Sequence, residues 1–196
     1  MKKIFFFTLL SICTLTKVYA LPFKIGPKIG VGSTFSDGYD DYGSDVTFVN
    51  AALGVAALIP LAEMFQIEAN ILLQRNSLNV DGSDFKLQLS MDTISIPLIA
   101  HYTFSISSSS KLGLGTGFEQ RIFSSASGKI ESNDGQSFEQ KLDSEPDNKM
   151  SSYIPISFMA MFGNVGLELR YSKQISTWMK NGASEDDLMF FGSYLF

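Results

Sequence analysis

One cysteine and one histidine in 196 residues leave little material for thiol or metal chemistry. Cys13 falls within the first twenty residues, so the rest of the chain can hold neither a disulfide framework nor a reactive thiol. No stretch past residue 20 reaches some 18 uninterrupted apolar residues, which excludes a transmembrane helix there. A chain without such helices can enter a bilayer only as a closed barrel, because every backbone polar group in lipid needs an internal partner. Basic residues are scarce too. Residues 1–20 hold three of the fifteen Lys and Arg and none of the twenty Asp and Glu, so residues 21–196 carry a net charge of −8. So acidic a chain argues against a nucleic-acid partner.

The chain opens as an export signal does. Lys2 and Lys3 form a positive start, Ile4 to Leu15 a short apolar run, and Val18-Tyr19-Ala20 a small-residue cleavage site. The run is too short to cross a bilayer as a helix. Ile12 before Cys13 is too large for a lipoprotein box. The expected division is a signal peptide over 1–20 and one domain over 21–196.

From Phe23 onward the chain alternates at period two nearly throughout. Phe23, Ile25, Ile29, Val31 and Phe35 share one face, with Lys24, Gly26, Lys28, Gly30 and Gly32 opposite. Similar runs cover about 46–59, 65–74, 85–104, 111–123, 153–162, 165–173 and 187–196, making eight strands. In the run from 85 to 104 the apolar phase slips by one residue near Asp92-Thr93, where a β-bulge is expected. Connections alternate in length. Segments 36–45, 124–152 and 174–186 are long and 79–84 is medium, while 60–64, 105–110 and 163–164 are short. This asymmetry predicts an all-β, eight-stranded antiparallel up-and-down transmembrane barrel, with short periplasmic turns and longer outer loops.

Period two alone does not say which face meets solvent. Gly26, Gly30, Gly32, Gly54, Gly113, Gly115, Gly117 and Gly166 fall on the polar face, which suits a narrow lumen. Lys24, Lys28, Arg121 and Arg170 share that face with Glu68, Glu119 and Glu168, a set able to pair across a lumen. The last strand carries Phe190, Tyr194 and Phe196 in phase, and Tyr194 and Phe196 read as an assembly signal for the outer-membrane insertion machinery.

Three runs, DTISIPLIAHYTF at 92–104, Gly113 to Gly117 and LELRYS at 167–172, resemble the small outer membrane protein beta-barrel domain proteins of the PorT-like group. The architecture is also similar to OmpA- and OmpX-type barrels. The resemblance implies outer-membrane residence and no shared catalytic activity.

No catalytic, metal or cofactor site is expected. His101 is expected to point into the lumen near the periplasmic end as a hydrogen-bonded interior histidine, without the nucleophile and carboxylate of a triad. Asp37, Asp40, Asp41 and Asp45 lack regular calcium-loop spacing and read as a solvated acidic rim, with a weak divalent site bridging to lipopolysaccharide as the sharper hypothesis. Trp178 is placed at the lipid headgroups. The expected role is non-enzymatic: a structural or surface-interaction barrel with a charge-filled lumen. Its partners would be outer-membrane lipids, lipopolysaccharide, the barrel assembly machinery and a surface partner on segments 36–45, 124–152 and 174–186. The alternatives are a narrow pore for small solutes and a secreted, soluble lipocalin-like binding barrel.

Overall fold

The computed structural model describes residues 23–36, 45–81, 85–132, 137–141, 149–176 and 185–196. The expected signal peptide, Trp178 and most of the acidic segment 36–45 lie outside them. The described strands are β1 (Lys24–Ser36), β2 (Asp45–Ala62), β3 (Phe65–Asp81), β4 (Phe85–Ser105), β5 (Ser110–Ser132), β6 (Ser137–Lys141), β7 (Met150–Phe162), β8 (Val165–Ser176) and β9 (Glu185–Tyr194). All pairings are antiparallel. Sheet order is β4-β3-β2-β1-β9-β8-β7-β5-β6, and β4 also pairs with β5. Eight strands therefore close into a ring, and β6 is a short hairpin partner of the far end of β5. The ring seam joins the first and last strands, where Ile25 and Phe196 exchange both backbone hydrogen bonds, at 3.2 and 3.1 Å. Closure leaves no open edge around the ring.

The apolar residues point outward. Ile29, Leu53, Ile71, Leu73, Leu98, Leu114, Ile156 and Phe190 are all exposed, while Lys28, Glu68, Arg121, Glu168 and Arg170 are buried. A soluble binding barrel has the opposite sense, so the lipocalin-like alternative is contradicted. On β4 the outward apolar stretch runs from Ile94 to Phe104, matching the roughly 9–11 residues a tilted strand needs to cross a bilayer. Exposed aromatic residues ring the short-turn end of this band. Phe65 packs edge-on to Tyr102 with centroids 5.2 Å apart, and Tyr194 lies 6.4 Å from Phe196. Such a girdle marks a membrane interface.

The phase slip at Asp92-Thr93 has a different cause from the one expected. β4 keeps unbroken register with β3, through Arg75↔Asp92 and Gln74↔Thr93. The irregularity lies in β5, where Asp92 opposes Ser125 and Thr93 opposes Phe123, leaving Ser124 unpaired. Odd residues of β4 face inward along its length, from half-buried Leu87, Leu89 and Met91 to buried Thr93, Ser95, His101 and Thr103. What changes at residue 93 is the solvent. From Ile94 onward the outside is lipid and takes apolar side chains. Before it the outside takes Lys86, Gln88, Ser90 and Asp92, and the inside takes the leucines. Arg75 grips Asp92 through two hydrogen bonds, of 2.7 and 2.8 Å, on the outer face of this boundary. β3 and β4 thus continue past the band as an amphipathic sheet of inverted sense, with β5 paired to β4 as far as Ser132.

Candidate functional site: the charged interior

Inward-facing positions of an eight-stranded barrel crowd together, so small residues must make room for large ones. A Cβ on Gly30 would stand 2.3 Å from the Phe191 ring, and one on Gly115 would stand 2.4 Å from Nδ1 of His101. The missing side chains admit the bulky groups of neighbouring strands.

Two charged clusters fill the interior. In the first, the Lys28 ammonium on β1 bridges Glu68 on β3 and Glu168 on β8. Arg170 donates to Glu168 through Nε at 2.7 Å and Nη2 at 2.9 Å, and reaches Glu68 at 3.4 Å. Asn70 donates to Glu68 and Ser157 to Glu168, each at 2.8 Å. The Phe191 ring lies against both cations, 4.9 Å from Lys28 Nζ and 4.6 Å from the Arg170 guanidinium. Two cations meet two carboxylates here.

In the second cluster Arg121 on β5 binds Glu119 at 2.5 Å and also pairs with Asp187 on β9. Its guanidinium stacks on Tyr153, 3.8 Å from the ring centroid. Ser95 and Ser172 donate to Glu119 at 2.8 and 2.9 Å. Thr34 donates to Asp187, as does Asn50 at 3.1 Å. One cation faces two carboxylates, and these hydroxyl and amide donors satisfy their remaining lone pairs.

Six of the seven charged residues expected in the lumen, Lys28, Glu68, Glu119, Arg121, Glu168 and Arg170, lie in these clusters. Lys24 does not. It sits at the short-turn mouth, where Nζ donates to the Gly163 carbonyl at 3.0 Å and to Asn164 Oδ1 at 3.1 Å. Four residues of extended strand, about 13 Å, separate it from Lys28. Asp187 escapes the sequence reading because its acidic neighbours, Glu185 and Asp186, make it look like part of a loop. Its in-phase position with Met189 and Phe191 is the signal that marks it as inward. Tyr194 and Phe196 face outward and are exposed.

His101 is fully buried, with Nε2 3.3 Å from Glu68 Oε2. Its ring lies over the bare backbone of Gly115, and Ser157 stands opposite that glycine on the next strand. Ser157 donates to Glu168. Among the described residues no three His, Cys, Asp or Glu gather so as to hold a metal.

A closed eight-stranded ring, an apolar exterior with an aromatic girdle and a polar, charge-paired interior define a transmembrane β-barrel of the bacterial outer-membrane kind. No family model matches the chain, and no curated protein matches it. Among solved structures it is similar to the outer membrane protein OprG from Pseudomonas aeruginosa, at 13% identity and TM-score 0.49 over 89% of this chain and 95% of that one. It is similar to the outer membrane enzyme PagL at 14% identity and TM-score 0.49, over 86% and 98% of the two chains. The attachment invasion locus protein Ail of Yersinia pestis matches at 13% identity and TM-score 0.42, over 89% and 97%. PagL corrects one expectation. With an enzyme among the neighbours, the reading of this chain as non-enzymatic does not stand.

Proposed function

We propose that the barrel stands in the outer membrane with its short turns in the periplasm and acts through its outer surface rather than through its lumen. The observation that carries this reading is the pair of buried charge clusters, one joining β1, β3 and β8 and the other β5 and β9 across the interior. A passage for solutes would have to part carboxylates and guanidinium groups that are 1–4% exposed. The proposed contact surface is the outward end of β2 to β6 with segments 36–45, 124–152 and 174–186. Its partners are lipopolysaccharide and the surface of another protein or cell. Residues 1–20 serve as the export signal, residues 21–196 form the barrel, and Tyr194 and Phe196 present the assembly signal. Runs 92–104, 113–117 and 167–172 support kinship with the PorT-like group.

Two measurements on the purified protein test this. Unboiled protein from outer-membrane fractions should migrate differently from boiled protein on a detergent gel. The same protein in planar bilayers should show no stepwise conductance. Regular open-channel steps would replace the surface reading with a narrow pore.

A further inference from the structure

At the short-turn end a cavity of about 320 Å³ opens among the starts and ends of β1, β2, β5 and β7. It lies apart from both charge clusters. Leu58 and Met161, 7% and 6% exposed, line it with Pro60, and they belong to the apolar plug that closes this end of the interior. Lys24 and Lys111 stand at its rim. Lys24 donates only to neutral acceptors, a carbonyl and an amide oxygen. Among the described residues neither lysine has a carboxylate partner, although acids outnumber bases in the chain.

From this geometry we infer a binding site for a small anionic amphiphile that enters from the short-turn side. Its head, a carboxylate or phosphate, accepts charge-assisted hydrogen bonds from Lys24 and Lys111. Its apolar body displaces water from Leu58, Pro60 and Met161. The volume lies at the small end of ligand sites and equals roughly ten waters at about 30 Å³ each, the size of an eight-carbon carboxylate. An apolar floor under a few placed polar groups is the usual build of such a site.

The test is methyl NMR of the full barrel in nanodiscs, with ¹³C-methyl methionine. Octanoate should shift the Met161 methyl saturably and leave Met189, in the other apolar cluster, unmoved. Lys111 is exposed and makes no ion pair among the described residues, so Lys111→Gln keeps the barrel intact and should weaken binding about tenfold, as loss of one charged hydrogen bond implies. Lys24→Gln should weaken it likewise, and 1-octanol should not saturate. A short-chain phosphatidate run in parallel separates the sources. Saturation by octanoate assigns the site to a free acid, and saturation by phosphatidate alone assigns it to a membrane lipid. The inference is overturned if neither saturates, if both variants bind as tightly as the parent, or if exposed Met64 shifts together with Met161, which would mean simple partition into the bilayer.

Discussion

Arg121 is the side chain whose loss should cost the barrel most. It is 2% exposed, binds Glu119 and Asp187 together, and lies flat on Tyr153. Arg121→Met keeps most of the volume and removes the charge, leaving two buried carboxylates with hydroxyl and amide donors but no cation paired to them. Breaking a buried pair in this way costs about 3–5 kcal/mol, or roughly two to three and a half powers of ten in the unfolding equilibrium. Arg75→Met is the control. It breaks an equally well-formed bidentate pair, but Arg75 is 62% exposed, so the loss should stay below about 1 kcal/mol. A third variant separates charge from shape. Arg121→Met with Glu119→Gln and Asp187→Asn removes the whole charged unit, and most of the lost stability should return. The assay is equilibrium guanidinium unfolding in phospholipid vesicles, monitored by far-ultraviolet circular dichroism. If Arg121→Met loses no more than Arg75→Met, the second cluster does not hold the barrel together and the reasoning fails.

The lipid band makes a sharp contrast along one strand. Leu98→Arg, outward at mid-band, should cost about 2–4 kcal/mol, whereas Gln88→Arg, outward beyond the band, should fall within about 0.5 kcal/mol of the parent. Equal effects would misplace the band. Gly115→Ala should destabilise by about 1–3 kcal/mol because its Cβ meets the His101 ring, while Gly192→Ala, with nothing within 4 Å, should be neutral or slightly stabilising in the same unfolding assay. Past the band on β5, the Lys129 ammonium beside Glu131 holds its carboxyl below the usual carboxylate range, with Lys86 adding a smaller pull. The ion-paired form therefore persists at neutral pH and is lost only as the pH falls below that range. Carboxyl ¹³C titration of Glu131 should show this, and Lys129→Gln should move the midpoint back up.

Much of the barrel is legible in the sequence because a narrow ring leaves each strand residue only two directions. Alternation from Phe23 to Phe35 and from Phe65 to Leu73 carries the strand count and the sense of the faces. The alternating loop lengths carry the antiparallel order. What alternation does not carry is where the outside changes from lipid to water. At Asp92-Thr93 that change has the same sequence signature as an inserted residue, so phase alone puts the bulge on the wrong strand. Strand lengths come out short for the same reason. β3 runs on to Asp81 and β5 to Ser132 because the sheet outlasts the band, and its polar outer face there reads as loop. In the interior, phase assigns Glu68 and Arg170 to the lumen but says nothing of partners. Tilt sets Lys28 of β1 beside Glu168 of β8, 140 residues away, and leaves Lys24, on the same face, at the mouth. Enzymatic status is not legible at all, since one buried histidine and an outer-membrane fold are compatible with either answer.

The placement of the membrane on this ring underlies every other conclusion, and a spin-label scan tests it most directly. The only native cysteine, Cys13, lies within the proposed export signal, so single cysteines can be set one at a time at even positions of β4 from Lys86 to Phe104. In lipid vesicles, labels at 94–104 should collide with oxygen and be shielded from a water-soluble nickel reagent. Labels at 86–92 should show the reverse, with the crossover at Asp92. If oxygen accessibility continued undiminished to 86, or if water reached 94–104, the band would be misplaced and the inverted outer sheet would not exist.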